Sequence, residues 1–380
     1  MDGFGRENLP FGVARLPGGT TVCVTALDDA VVDLATLAAQ QAFDGVPPGV
    51  LAQPSLNAFL AGGRPALVSV RRRLQELIDA GDERIAAARH PTSAVEFRLP
   101  IAAGDFVDFS ASLHHAMNMA RIFRPGTDPL RENWRAFPRG YHGRTGSLVA
   151  SGTGVIRPHG RILAGVRPTG SLDIEAEVGF VVGAGTAVGE PIPPSRALDH
   201  VAGLVLINDW SARDFQAFES QPLGPFLGKS FATSVSPWLV TLDALEPYRM
   251  PEGGGYDIQL EIDLVTVAGV VTISCPRFST MFWTIPQLLA HATLNGAATR
   301  PGDLFGCGTT SGPDPWTEGS LIELTGDGEH PLKLPDGSTR TYLEDGDSVV
   351  VRAWAGGDGR PLLSLGEVAG TVLPARPLEA

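Results

Sequence analysis

The sequence predicts a mainly β protein of α+β type, with a small N-terminal domain over residues 1–97 and a large mixed-β domain over 98–380. Three observations carry this prediction. Short β-type runs punctuated by glycine and proline fill the chain from Arg98 onward, as in proteins built from many strands and tight turns. Stretches with helical spacing are few and short. A chain of 380 residues is long enough for two domains, or for one large β-rich domain with a small partner.

In order along the chain, residues 11–37 alternate short apolar runs with Gly-Gly and Asp-Asp turns and read as a few small strands. Residues 70–88 place apolar side chains at helical spacing among charges, which predicts an amphipathic helix. Beyond residue 97 the runs EVGFVV, GLVLI, PWLVTL, IQLEIDLVTVAGVVTI, SLIELT, DSVVVRAW and AGTVL all read as strands. The clearest helix there is 286–295, opened by Pro286. The sequence contains no internal repeat, low-complexity tract or long charge run.

Hydrophobic content of 43% with 19% charged residues fits a folded globular chain rather than a disordered one. A formal charge of −13 repels nucleic acid and acidic membrane, so neither is expected as a partner and a small-molecule substrate is. Cys23, Cys275 and Cys307 lie far apart with no C-x-x-C spacing, which argues against a zinc site or a disulfide framework. The first ten residues hold no apolar core, and no run of about eighteen apolar residues exists. The expected compartment is therefore the cytoplasm.

The stretch 171–233 carries the chemistry. Glu175 and Glu177 form an E-x-E pair whose side chains, in an extended segment, project to one side within reach of one cation. Ile174, Ala176, Val178 and Phe180 make this strand too apolar for a surface edge, and a buried polar face calls for a ligand. The apolar run 201–207 delivers Asp209 at its end. Oxygen ligands from separate strands suit a hard divalent cation, Mg²⁺ or Ca²⁺. Arg213 and Gln216, three apart, would share a face if that segment is helical, and the loop 222–228 before Lys229 looks buried.

These residues belong to long ordered motifs: NDWSARDxQxxExxPLGPFLGKSF, with LDxExExGFxVG and GYHGRxxSxVxSG before it. Together with Asn8-Leu9-Pro10-Phe11-Gly12 near the start and Gly370-Thr371-Val372-Leu373-Pro374 near the end, they resemble the fumarylacetoacetate hydrolase family over nearly the whole chain. The resemblance implies an SH3-like barrel for the N-terminal domain, a homodimer, and a metal-dependent hydrolase that cleaves a C–C bond of a 1,3-diketo acid. With fumarylacetoacetate the products would be fumarate and acetoacetate, the end of tyrosine and phenylalanine breakdown.

Residue by residue, the resemblance makes Asp108 the fourth metal ligand beside Glu175, Glu177 and Asp209. It assigns His115, rather than its neighbour His114, as the general base and Glu323 as the acid that orients it. A carboxylate behind an imidazole holds the tautomer that water activation requires. Arg213, Gln216 and Lys229 match the oxyanion-stabilising group, and Lys229 and Thr233 match positions beside a second, structural Mg²⁺. Arg124, Tyr141, Gln216 and Thr309 match substrate-contacting positions.

Two substrate-contacting tyrosines of the family are replaced, by Ser110 and Ser220. Each change removes an aromatic wall and a phenol hydroxyl, so the pocket is expected to be wider and its selectivity altered. An alternative function is therefore a family member that turns over another β-keto acid or a bulkier substrate, by hydrolysis, decarboxylation or other enolate chemistry. A third reading is a non-catalytic metal-binding scaffold. Retention of both His115 and Glu323 weighs against it, because an idle site needs neither a base nor its orienter.

Overall fold

The structure is a computed structural model that describes residues 3–378 except Thr127, Pro129, Arg131, residues 252–254 and Asp358. Its N-terminal part is a five-stranded antiparallel sheet in the order Arg89–Pro91, Ala30–Asp33, Thr21–Leu27, Phe11–Arg15, Glu96–Phe97. The strand character expected through residue 37 stops at Asp33. There the Asp33 carboxylate accepts the amides of Ala35 (2.8 Å) and Thr36 (3.1 Å) and starts the helix Leu34–Ala39. The helix expected over 70–88 is two helices, Gly63–Asp79 and Glu83–Ala87, because Gly81 turns the chain at φ 62° and Asp82 caps the second.

The larger part is built on an eight-stranded mixed sheet. Its path runs Gly140–His142, Phe106–Phe109, Leu304–Gly306, Ala176–Val182, Val201–Asp209, Thr233–Val235, Leu148–Ala150, and Val240–Thr241 also pairs with Val201–Asp209. The pairs 106–109 with 304–306 and 233–235 with 148–150 are parallel, and the others antiparallel. A second sheet, Gly269–Ser274, Ile258–Thr266, Ser348–Gly357, Arg360–Leu373 and Val155–Ile156, packs against it. The helix expected over 286–295 is Ile285–Thr293, opened by a Thr284/Gln287 capping box.

Strand alternation sorts the two faces of the central sheet. Val178, Phe180, Leu204 and Leu206 join Leu260, Ile262, Val349 and Val351 of the second sheet in one apolar cluster. Val181, Val205, Ile207 and Phe106 point the other way and pack on Leu37, Leu67, Val70 and Leu74 of the N-terminal part. Glu177, Asp209 and Asp108 fall on the register of this second face, two residues beyond Gly179, Ile207 and Phe106 respectively. The N-terminal layer thus covers the apolar part of the face, and the carboxylates emerge where that cover ends.

One strand assignment is overturned. The run SLIELT is not extended; it forms the short helix Leu321–Thr325, closed by Gly326 in the left-handed region at φ 57°. The reason lies outside the run: the Asp173 carboxylate accepts the amides of Leu321 (2.7 Å) and Ile322 (3.1 Å), which a strand would direct to a sheet neighbour.

Candidate active site

Asp108, Glu175, Glu177 and Asp209 are all buried and offer oxygens that lie within 4.8 Å of one another. Four neighbouring strands bring them together. Asp108 stands opposite Gly306 in the parallel pair, Gly306 opposite Gly179 in the antiparallel one, and Glu177 opposite Ile207, two residues before Asp209. Glu175 precedes its strand and is fixed by its backbone, its amide donating to Asn208 Oδ1 (3.1 Å) and its carbonyl accepting from the Asp209 amide (3.1 Å). Gly306 makes room for the cluster. A Cβ there would stand 2.5 Å from Asp108 Oδ1 and 2.8 Å from Glu177 Oε2.

The donor set fits a divalent cation. Asp108 Oδ1 and Glu177 Oε1 are buried with no hydrogen-bond partner, a costly state that oxygen coordination would relieve. Burial, and then the charge of Asp209, pushes Asp108 well above the usual carboxylate range; burial and the charge of Asp108 do the same to Glu177. The buried cluster could hold a metal ion.

The other two acids carry cationic partners instead. Lys229 Nζ donates to Glu175 Oε2 (2.6 Å) and Asp209 Oδ2 (2.9 Å), and Arg213 Nη1 donates to Glu175 Oε1 (2.6 Å). Burial would raise the Glu175 carboxyl, but the charges of Lys229 and Arg213 outweigh it and hold the group below its usual range. Burial would lower Lys229, yet Asp209 and Glu175 raise it above the usual lysine value, so it stays an ammonium ion. Asp209 also accepts from the Tyr141 hydroxyl (2.6 Å) and the Thr233 hydroxyl (2.6 Å). Through their side chains Lys229 and Thr233 therefore both act as donors to Asp209.

His115 lies on the helix Leu113–Phe123, whose first turn is capped by the Ser112 hydroxyl accepting from the His115 amide (3.2 Å). Its Nδ1 meets Glu323 Oε2 at 2.7 Å. Glu323 is further held by Asn118 Nδ2 (3.0 Å), Ser311 Oγ (3.1 Å) and Ser320 Oγ (2.6 Å). Burial would raise Glu323, but the facing His115 and these donors keep it below the ordinary glutamate value. With Nδ1 engaged, Nε2 is the ring nitrogen left to accept a proton.

Asp108, Glu175 and the His115 imidazole line one cleft of about 220 Å³, together with Ser110, Arg139, Tyr141, Gln216, Pro225, Lys229 and Thr309. Thr309 Oγ1 is buried there without a partner. Of the residues singled out from the sequence, Glu177, Asp209, Thr233, Glu323, Arg213, Ser220 and Arg124 are not part of this lining. Arg213 lies beneath it, on the helix Arg213–Glu219, and donates to Asp173 (2.7 Å), Glu175 and Gln216 Oε1 (3.0 Å), so it shapes the wall through Gln216. Ser220 follows that helix and returns its hydroxyl to the Gln216 carbonyl. Arg124 follows the helix Leu113–Phe123. Sequence reasoning missed Asp173, Asn118, Ser311, Ser320 and Arg139. Asn118 alone had a local signal, since it lies three residues after His115 on a helix.

The chain resembles two family descriptions: "Fumarylacetoacetate (FAA) hydrolase C-terminal" matches residues 106–373, and "Fumarylacetoacetase N-terminal" matches residues 7–100. The chain belongs to the fumarylacetoacetate hydrolase family. Among relatives in that family, the fumarylacetoacetase of Arabidopsis thaliana is 42% identical, covering 98% of this chain and 96% of its own. Fumarylacetoacetase fahA of Aspergillus fumigatus is 40% identical, covering 98% of each chain. The fumarylacetoacetase of Homo sapiens is 39% identical, covering 97% and 96%. Solved structures share the fold at low identity. A fumarylacetoacetate hydrolase from Exiguobacterium antarcticum has a TM-score of 0.56 at 16% identity, covering 97% of this chain and all of its own. A 5-carboxymethyl-2-hydroxymuconate delta-isomerase from Mycobacterium smegmatis has a TM-score of 0.55 at 16% identity, with the same coverage.

Proposed function

We propose that this chain is a metal-dependent hydrolase that splits fumarylacetoacetate into fumarate and acetoacetate. One observation carries the reading: Asp108 and Glu175 of the carboxylate cluster and His115, backed by Glu323, line the same cleft. A divalent cation held by Asp108, Glu175, Glu177 and Asp209 would draw electron density from the two diketone oxygens.

His115 then takes a proton from water at Nε2, and Glu323 holds the ring and balances the imidazolium that forms. The water oxygen adds to the carbonyl carbon on the fumaryl side. Gln216 and Lys229, with Arg213 behind Gln216, stabilise the negative charge that develops on its oxygen. The C–C bond breaks, its electron pair leaves on the acetoacetate carbon, and that carbon receives a proton. Ser110, Tyr141 and Thr309 supply hydroxyls for the substrate's polar ends, Thr309 with a hydroxyl that otherwise lacks a partner. Arg124 is kept as a substrate contact and Thr233 as a neighbour of a second, structural ion on the family resemblance.

The finer parts of the reading rest on the family as well: Mg²⁺ or Ca²⁺ as the ion, an SH3-like N-terminal domain ending near residue 97, a homodimer, and a cytoplasmic place at the end of tyrosine and phenylalanine breakdown. Among the described residues no helix is long and apolar enough to cross a membrane. The altered-pocket alternative rested on two serines, and only Ser110 lines the cleft. Near full-length similarity to fumarylacetoacetases of plants, fungi and mammals supports the first reading over it.

The test is to incubate the purified protein with fumarylacetoacetate and a panel of acylpyruvates, after chelation and after return of Mg²⁺ or Ca²⁺. Metal-dependent release of fumarate and acetoacetate is expected. Turnover of the acylpyruvates alone would overturn the assignment of substrate, and full activity in chelated protein would overturn the role of the metal.

A further inference from the structure

Asp173 is a charged residue that the mechanism above does not use. It is fully buried, with a relative exposure of 0%. A carboxylate that deep must be saturated with donors or neutralised, since an unpaired charge in the interior is strongly unfavourable. Its donors come from two directions. Arg213 Nε donates to Oδ2 at 2.7 Å, from the side of the metal acids, because the same guanidinium also holds Glu175 and Gln216. The amides of Leu321 (2.7 Å) and Ile322 (3.1 Å) donate from the other side, at the first turn of the helix whose next residue is Glu323. The amide of Ile174 (2.7 Å) completes the set.

From this geometry we infer that Asp173 is a positioning residue that holds the two halves of the site in register. One carboxylate fixes both Arg213, which carries Glu175 and the Gln216 wall, and the helix start that sets where Glu323 meets His115. The run around Glu323 reads as a strand from its sequence and is helical in the structure. The element that changes its conformation is the same carboxylate that grips Arg213. Asp173 is thus the side-chain acceptor that Arg213 and the helix start share, beside the backbone bond from the Ala176 amide to the Gly319 carbonyl (3.0 Å). This inference rests on the hydrolase reading above and adds to it a residue that never meets the substrate.

The test is Asp173→Asn. The amide nitrogen replaces either Oδ2, facing Arg213 Nε and the Ile322 amide, or Oδ1, facing the Leu321 and Ile174 amides, so in either orientation two donors lose their acceptor without a change of volume. A loss of kcat between about tenfold and a hundredfold is expected, the scale set by a misplacement of about 1 Å, with KM changed far less. Calorimetric affinity for Mg²⁺ should stay close to that of the parent, since the four carboxylates remain. The downfield proton of His115 Nδ1, assigned by its absence in His115→Ala, should shift or vanish in Asp173→Asn. That readout is independent of turnover.

A cycle with Glu323→Gln separates positioning from mere stability. The double variant should be no worse than the poorer single one, because both changes break the same alignment. Additive losses, or an unshifted His115 proton at parental kcat, would overturn the inference. Asp173→Glu serves as the second variant, keeping the charge. If neither variant folds, Asp173 belongs to fold stability and the inference falls. An inactive parent enzyme would instead sink the proposed function, which the His115 proton signal does not depend on.

Discussion

Gly306→Ala is the sharpest single test of the metal site, because the change adds one methyl group and the structure says where it goes. The backbone of Gly306 lies outside the left-handed region, so alanine is conformationally acceptable and the effect is purely one of space. The new Cβ would lie 2.5 Å from Asp108 Oδ1 and 2.8 Å from Glu177 Oε2. Carbon and oxygen in ordinary contact stand roughly 3.3–3.6 Å apart, so the carboxylates must move by about 0.5–1 Å. They cannot move freely. Both are buried on strands, and Glu177 Oε2 accepts the Gly308 amide at 3.2 Å. Overpacking of this kind costs about 1–3 kcal/mol of stability. A displacement near 1 Å in a ligand set is expected to lower kcat/KM about a hundredfold. Isothermal titration with Mg²⁺ and with Ca²⁺ reads the site directly, and fumarate release reads its consequence. Gly49→Ala is the control, since a Cβ there meets nothing within 4 Å. A Gly306→Ala protein that binds either ion with parental affinity would show that the paired orphan oxygens are not ligands.

Three further outcomes follow from the same geometry. His115→Ala should reduce hydrolysis by about two to four orders of magnitude while leaving Mg²⁺ affinity intact, and His114→Ala should not; the reverse ranking would move the base to His114. Burial raises the carboxyl groups of Asp108 and Glu177, so both hold protons more tightly in the ion-free protein than in an unfolded chain. A cation must displace those protons, hence divalent affinity should rise as pH increases above the ordinary carboxylate range, with proton release measurable by calorimetry in two buffers of different ionisation enthalpy; pH-independent affinity would refute it. Ser110→Ala should raise KM for fumarylacetoacetate about threefold to tenfold, the worth of one hydrogen bond, while Ser220→Ala leaves it within about twofold because its hydroxyl serves the Gln216 carbonyl. Equal effects of the two serines would contradict their placement.

The legible part of the fold is the part whose pattern is local. The fully buried strands Ala176–Val182 and Val201–Asp209 announce themselves as continuous apolar runs, and the Thr284-Pro286-Gln287 start of the later helix follows from capping chemistry. What the sequence conceals is where tertiary donors or acceptors decide the backbone. Residues 34–37 are apolar enough for a strand, but Asp33 supplies a cap and the segment coils. The same holds for Leu321–Thr325, where β-type composition yields to a carboxylate nearly 150 residues away in the sequence.

That contrast also explains which site residues a sequence exposes. Asp108, Glu175, Glu177 and Asp209 stand out because acids in apolar strands need a reason, and the reason, a shared cation, can be stated without knowing the fold. Asp173 sits two residues from Glu175 and is equally buried, yet its composition and spacing say nothing of its task, since its partners arrive from a distant helix start and a guanidinium. Ser311 and Ser320 are ordinary loop residues until they meet at Glu323. Arg213 shows the complementary case. The family resemblance puts it in the oxyanion-stabilising group, and in the folded chain it donates to Asp173, Glu175 and Gln216 beneath the cleft. Sequence therefore names the groups that do chemistry, and only the folded chain distinguishes those that touch the reacting atoms from those that aim them. A consequence can be measured: Arg213→Lys, which keeps the charge but cannot span all three partners, should depress kcat as Gln216→Ala does. If charge alone mattered at this position, lysine would preserve activity.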